Sequence, residues 1–377
     1  EQRFGFYSYK VGAFYFLLSR VIGASFRLYL VAIVLQEFVM NAFDIPFPVT
    51  VLTTILLIWV YTFRGGIRTI VYTDTLQTLS MLVAVVLTIL GIGSALETDI
   101  SGLAEMVTNS AYSQVFFFEG GWSDPYNFWK QFLSGALITI VMTGLDQDMM
   151  QKNLSCRNIK DAQKNMFWFS IVLVVVNFVF LSLGALLYLY ATEKGLTLPE
   201  SSDDLYPFIA TKGSAGLIVA VSFLLGLIAA AYSSADSALT SLTTSFSIDF
   251  LNINKNNDAN TPMSVQKNDK KNAIITRKIV HVVMSAEIIL VVILLKYTTS
   301  DSAIDLLMKF AGFTYGPLIG LFFFGILTKR SIKDRVVPFV CLLSIGLTFV
   351  LWYYSAGAPG AEKGMPGILG NYKFGFE

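Results

Sequence analysis

A stretch of small and hydroxyl-bearing residues in the second half of the chain has the spacing of an ion-binding helix face. Five residues recur at i, i+3, i+4, i+7 and i+11: Ala230, Ser233, Ser234, Ser237 and Ser241. This spacing places them on one side of a helix. The serine hydroxyls supply hard oxygen ligands that suit a cation such as Na⁺, and the flanking carboxylate of Asp236 would offset its charge. The same pattern also suits close helix packing, with the hydroxyls bonded back to the backbone.

A second carboxylate lies near the start of another apolar stretch. Gly65 and Gly66 permit a tight turn, and Asp74 and Gln77 follow at i and i+3, so they share a helix face. An acidic residue near a helix start is also favoured by the helix dipole alone. Ion binding and helix-end stabilisation are therefore both open for Asp74.

The composition indicates the elements that must carry these groups. Of 377 residues, 54% are hydrophobic and only 14% are charged, with a mean hydropathy of +0.62. Soluble globular chains carry about 25% charged residues. The net charge of +1 argues against a nucleic-acid partner, and two cysteines and one histidine argue against a disulfide scaffold or a histidine metal site. We therefore predict an all-α polytopic membrane protein in a lipid bilayer.

Nine stretches approach the length of about 20 mostly apolar residues that a spanning helix needs. They are Val11–Met40, Val49–Thr62, Thr69–Ala95, Phe128–Met150, Phe167–Tyr190, Ala215–Ser247, Ile279–Leu295, Ala303–Leu327 and Val336–Tyr354. Residues 1–354 then form a single transmembrane domain.

Most Lys and Arg residues of the loops lie at one set of span ends, which the positive-inside rule assigns to the cytoplasm. This distribution predicts a multi-pass protein of the cell inner (plasma) membrane with a cytoplasmic start. Residues 252–272, rich in Asn, Lys and Asp, are predicted to be a flexible cytoplasmic loop. Residues 355–377 are predicted to be an extracellular C-terminal tail.

Several short motifs follow one another along the nine spans in a characteristic order. They are Arg3-Phe4-Gly5, Gly65-Gly66 with Tyr72-Thr73-Asp74-Thr75-Leu76-Gln77, Asp146-Gln147 with Gln151-Lys152, Ala230 with Ser233-Ser234, Gly316-Pro317 and Leu327-Thr328-Lys329-Arg330. Together they resemble the sodium/solute symporter family, which includes sodium–glucose, sodium–proline and sodium–sialic acid transporters. The likeness covers nearly the whole chain.

The resemblance implies a five-plus-five inverted-repeat fold with binding sites near the midplane. The nine spans would be core helices three to ten plus one more, with core helices one and two before Glu1. It further implies that the Ala230 carbonyl and the Ser233 and Ser234 hydroxyls form half of a sodium site. Some members bind a second sodium ion through an acid at the position of Asp74. Ser237 fits that second site, whereas Asp236 stands where the family usually has a hydroxyl.

Solute contacts are also implied by the resemblance. Lys309 falls where sugar transporters place a sugar-contacting glutamine, although an i,i+4 pair with Asp305 is an alternative. Thr139 and Met142 fall where those transporters use a polar contact and a gating aromatic. Arg27 comes from the residues themselves, because an arginine in mid-span suits the carboxylate of an acidic solute. It would equally neutralise a buried aspartate.

The function that these observations predict is sodium-coupled symport of a small organic solute by alternating access, with Na⁺ as the coupling ion and no enzymatic activity. One alternative is a transporter-like solute sensor. Another is an intramembrane aspartyl enzyme built on Asp74 and Asp236.

Overall fold

The chain consists of helices joined by short connections. The computed structural model describes residues 3–62, 67–145, 147–212, 216–253, 263–298, 303–355 and 372. Within them there is no strand, in agreement with the predicted all-α class. The α-helices are α1 (Phe6–Phe38), α2 (Phe47–Thr62), α3 (Ile67–Ala95), α4 (Ile100–Thr108), α5 (Phe128–Gly144), α6 (Gln147–Leu154), α7 (Ile159–Glu193), α8 (Leu205–Lys212), α9 (Leu217–Ser245), α10 (Met263–Thr298), α11 (Ala303–Leu327) and α12 (Val337–Tyr353).

Seven of the described helices contain a stretch long and apolar enough to cross a membrane: α1, α3, α7, α9, α10, α11 and α12. Large apolar side chains of α7, among them Val174, Phe178 and Leu181, are exposed on the outside of the bundle, as a lipid-contacting surface requires. α2 and α5 have 16 and 17 residues, less than the usual spanning length. The count of nine spans and the five-plus-five repeat therefore stay predictions.

Two predicted segments have different bounds in the structure. The predicted span Phe128–Met150 is divided, because α5 ends at Gly144, a poor helix former, and α6 begins at Gln147. In the predicted loop 252–272, residues 254–262 lie outside the described residues. α10 begins at Met263, so the second half of that segment is helical. Of the predicted tail 355–377, only residues 355 and 372 are described.

Helix α9 is the packing centre of the bundle, because two apolar clusters meet on it. One cluster joins α9 to α1, α2 and α10, and the other joins it to α3, α7 and α8. Their most deeply buried large side chains include Phe26, Leu239, Ile288, Ile92, Tyr190 and Ile209. The hydroxyl-bearing face of α9 is thereby turned to the interior of the bundle and not to lipid.

Helices α3 and α9 run antiparallel and approach each other closely at Gly226. A Cβ atom at this position would lie 3.0 Å from the Cβ of Ala84 and 3.4 Å from the Cα of Met81. A glycine here lets the two backbones meet. Two turns further along α9, the same approach brings Ser233 beside Asp74 of α3.

The first turn of α1 is fixed by residues that follow α11. Asp334 accepts hydrogen bonds from the Ser8 amide at 2.7 Å and the Tyr7 amide at 2.9 Å, which supplies the cap that Gly5 lacks. Arg3 donates to the carbonyl oxygens of Thr328 at 2.7 Å and Arg330 at 3.0 Å. We call this end of the bundle, where α1 begins and α11 ends, the basic end.

We expect Gly226→Leu to lower the stability of the protein by about 1–3 kcal/mol, the usual cost of overpacking a well-packed contact. The measurement is the thermal unfolding midpoint of the purified protein in detergent. Gly184→Leu in α7 is the matched control, because nothing lies within 4 Å of a Cβ built there. Equal midpoints for the two variants would show that α3 and α9 do not need the close approach.

Candidate functional site

A cavity of about 310 Å³ lies between α1, α5, α6, α9 and α11. Helix α1 lines it with one face, on which Ser19, Gly23 and Arg27 succeed each other at i, i+4 and i+8. Met142 of α5, Ser233 and Ser237 of α9 and Tyr315 of α11 complete much of the wall. A smaller space continues from it past Arg27 towards Leu307 and Phe310 of α11.

The charged side chains on the cavity wall are basic. Arg20, Arg27 and Lys152 line it, and no Asp or Glu is among the described residues that do. Basic groups in a membrane interior are costly and point to a function or to a buried partner. We expect this lining to give the cavity a positive potential that attracts anions.

The predicted cation-binding face of α9 meets Asp74 on α3. Ser233 Oγ donates a hydrogen bond to Asp74 Oδ1 at 2.7 Å. The other oxygen of the carboxylate, Oδ2, lies 2.9 Å from Nζ of Lys152 on α6. Asp74 therefore joins three helices, and its two oxygens are shared between a hydroxyl and an ammonium group.

The rest of the α9 face continues this polar line into the protein. Asp236 is 1% exposed, and its Oδ1 lies 3.5 Å from Thr240 Oγ1. Ser237 is buried on the cavity wall. One turn further on, Ser241 accepts a hydrogen bond from Arg20 Nε at 3.3 Å. Hydroxyl and carboxylate oxygens thus follow one another along α9 and meet Asp74 of α3 at Ser233, and this donor set is chemically suited to an alkali cation.

The structure brings some of the predicted residues together and separates others. Arg27 and Met142 lie on the cavity wall. Thr139 and Lys309 are not among the described residues that line it. Thr139 Oγ1 bonds to the Gly135 carbonyl of its own helix at 2.7 Å.

The reason for the position of Lys309 is the helical period. α11 faces the two cavities with Leu307, Met308, Phe310, Ala311, Thr314, Tyr315 and Leu318. Position 309 is not in this set, and its side chain is exposed on another side of α11. Asp305, the alternative partner of Lys309, has a side chain outside the described residues.

Four further residues near the site are described to different extents. Ser234 lies in α9, but its side chain is outside the described part of the structure. Asp146 is not described, and the side chain of Asp148 is not described either. Ala230 is half-buried in α9, one turn before Ser233.

Two contacts of the site were not anticipated from the sequence. Lys152 was noted only as part of a motif, and its ion pair with Asp74 spans 78 positions along the chain. Arg20 donates from Nε to Ser241 Oγ at 3.3 Å, across 221 positions of the chain. The sequence held one signal for the contact between Lys152 and Asp74. Lys152 closely follows the end of a predicted span, and Asp74, in another predicted span, needs a positive partner.

A profile of the sodium:solute symporter family matches residues 13–334. The chain belongs to this family. The match includes α1 to α11 almost entirely, and hence every helix that lines the cavity. Sodium:solute symporters are transporters and not enzymes, which confirms the expectation that the protein has no enzymatic activity.

Two curated relatives within the sodium:solute symporter family have similar sequences. The chain is 26% identical over 347 residues to the sodium/sialic acid symporter SiaT of Proteus mirabilis, covering 88% of the chain and 64% of the relative. It is 27% identical over 380 residues to the sodium/sialic acid symporter NanT of Aliivibrio fischeri, covering 94% and 67%. The chain thus spans about two thirds of the length of these relatives.

A solved structure of a transporter has the same fold. It is a substrate-bound, outward-open state of a Na⁺-coupled sialic acid symporter, described as having a novel Na⁺ site. It matches with a TM-score of 0.72 at 20% sequence identity, over 93% of this chain and 70% of the other.

The positive lining of the cavity is testable by thiol chemistry. In a variant without Cys156 and Cys341, we expect Ser19→Cys to react several-fold faster with an anionic methanethiosulfonate than with a cationic one, because Arg20, Arg27 and Lys152 attract the anion. Each rate is normalised to that of the same reagent with a free thiol. Ser113→Cys, exposed in the connection between α4 and α5, is the control and should show no preference for the anion. A preference for the cationic reagent at position 19 would contradict the assigned potential.

Proposed function

We propose that the protein couples the entry of Na⁺ to the transport of a small anionic solute, a sugar acid, across a cell membrane. The observation that carries this proposal is the contact between Ser233 Oγ and Asp74 Oδ1 at 2.7 Å. It places a carboxylate against the hydroxyl-bearing face of α9, within the bundle and beside the cavity. The family membership supports the same type of activity.

For sodium, we propose two neighbouring sites on this face of α9. The carbonyl of Ala230 and the hydroxyls of Ser233 and Ser234 contribute to one, and Asp74 with Ser237 contributes to the second. Asp236 stands where the family usually has a hydroxyl. It adds a second carboxylate, about one helical turn after Ser233. A carboxylate in a membrane interior requires a positive partner. A cation that binds here would compensate the carboxylate charge, and the carboxylate and hydroxyl oxygens would ligate the cation.

For the solute, we propose the cavity beside this site, with Arg27 as the group that binds a carboxylate. The wall offers arginine and lysine together with hydroxyl groups of Ser19 and Tyr315, which suits a hydroxylated acid. The volume of about 310 Å³ is within the range of small-molecule sites. Both relatives are named as sialic acid symporters, and sialic acid is a sugar acid.

Coupling follows from differential affinity. If sodium and solute each bind one of two alternating states more tightly, the binding of either favours the binding of the other. The sodium gradient then drives solute uptake. The distribution of Lys and Arg supports a cytoplasmic position for the basic end in a plasma membrane.

The alternative of an aspartyl enzyme has less support. Two catalytic aspartates share a proton when their carboxyl groups lie together. Here both Asp74 oxygens are taken by Ser233 and Lys152. Sodium-dependent uptake of solute into vesicles would distinguish transport from a sensor that binds without flux.

The sodium site predicts that Na⁺ stabilises the purified protein against heat, because a ligand that binds only the native state raises its stability. We expect Ser233→Ala to raise the half-saturating sodium concentration roughly tenfold, corresponding to about 1.4 kcal/mol. Ser222→Ala is the control, since Ser222 lies on the same helix and bonds only to the Val219 carbonyl in the described contacts. An unchanged sodium response in Ser233→Ala would remove the site from this face of α9.

If Arg27 binds the solute, its substitution should weaken solute binding without a large loss of protein stability. We expect Arg27→Met to raise the KM for sialic acid uptake roughly 30-fold, corresponding to about 2 kcal/mol for a charged hydrogen-bonded contact. Arg27→Lys should raise it less. The sodium-induced shift of the unfolding midpoint should remain. A large fall of the midpoint with no change in KM would instead make Arg27 a structural partner of a buried aspartate.

A further inference from the structure

Lys152 and Asp74 connect two helices at the proposed cation site. Nζ of Lys152 lies 2.9 Å from Asp74 Oδ2, while Ser233 holds Oδ1. The ion pair ties α6, a helix of eight residues, to the long helix α3. The ammonium group is thus held by one of the oxygens that would ligate a cation.

An ammonium group and an alkali cation make the same demand on this carboxylate. Both carry a single positive charge and both are surrounded by oxygens when bound. Two positive charges against one carboxylate in a membrane interior would repel each other strongly. Asp74 can therefore hold only one of them at full strength.

We propose that Lys152 is a tethered competitor of the sodium ion: Asp74 holds either the ammonium of Lys152 or Na⁺, and sodium binding releases α6 from α3. This inference rests on the proposed function and names an additional residue that controls it. It assigns to Lys152 the regulation of the cation site and not the ligation of sodium.

The exchange is physically reasonable because both states are electrostatically balanced. Without sodium, an isolated carboxylate between α3 and α9 would be an uncompensated charge, which is strongly destabilising. Lys152 supplies the missing charge. With sodium bound, the ion replaces it, so the net charge beside Asp74 stays constant through the cycle.

The surroundings of Lys152 give the displaced ammonium a place to go. Its side chain is 30% exposed and lies between the central cavity and a second, open pocket beside Asp74. Lysine is a flexible point charge with three donors, so it can turn into either space and stay hydrated. It also lies in the last turn of α6, where the helix dipole favours a cation.

The release of α6 would connect the ion site to the cavity. α6 follows α5 after Leu145, and Leu145, Met149 and Lys152 all line the cavity. Loss of the tie to α3 frees this corner of the wall. Sodium binding would in this way change the cavity wall itself, without contact between the ion and the solute.

The first test is a sodium titration of the purified protein, followed by the thermal unfolding midpoint. We expect Lys152→Met to lower the half-saturating sodium concentration roughly fivefold. Sodium then no longer has to displace the ammonium group, and a partly exposed ion pair of this kind contributes about 1 kcal/mol. Lys152→Arg keeps the charge and should not tighten sodium binding. Lys160→Met in the exposed first turn of α7 is the control for a lost lysine, and choline chloride is the control for ionic strength.

The second test measures the release itself. Spin labels at Leu154 on α6 and Leu79 on α3, both exposed, are introduced in a variant without Cys156 and Cys341. We expect sodium to lengthen and broaden the distance distribution in the protein with Lys152. In the Lys152→Met variant the distribution should be broad already without sodium.

The outcomes separate this inference from the proposed function. A normal sodium response that Lys152→Met leaves unchanged or weakens would overturn the competitor role and leave the sodium site intact. A fixed distance between α6 and α3 in all conditions would also overturn it. If neither the original protein nor Lys152→Met responds to sodium, the site and the inference both fail. A response that only Lys152→Met shows would support competition directly.

Discussion

The compensation of charge at Asp74 is the interaction on which the rest of the site depends. A carboxylate inside a membrane bundle is stable only with a positive partner and with hydrogen bonds to its oxygens. Asp74 obtains these from Lys152 at 2.9 Å and Ser233 at 2.7 Å, and these partners come from two other helices. The need to satisfy one charge therefore fixes the relative positions of α3, α6 and α9.

The backbone packing makes this arrangement possible. Gly226 lets α9 approach α3 to the point where a Cβ atom would already be crowded by Ala84, and the two apolar clusters hold α9 between its neighbours. Ser237 and Ser241 then continue the polar face towards Arg20. The polar groups interact with one another because the apolar ones leave α9 no freedom to rotate.

The cavity and the proposed ion site share residues. Ser233 and Lys152 bind Asp74 and also line the cavity, in which Arg27 faces the interior. A change at the carboxylate is therefore a change of the cavity wall. This gives a short physical route for the coupling between cation and solute that the family membership leads one to expect, without a long chain of intermediates.

The sequence by itself determined the helical class, the family and the hydroxyl-bearing face of α9, because apolar length and helical period are local properties. It also placed Asp74 among the candidate ligands, since a carboxylate in an apolar span needs a reason. Only the tertiary structure decided that Lys152 is the partner of Asp74, that α6 is separate from α5, and that Lys309 lies off the cavity face of α11. These facts depend on contacts between residues far apart in the chain and on the rotation of each helix about its axis, which packing against the neighbours sets.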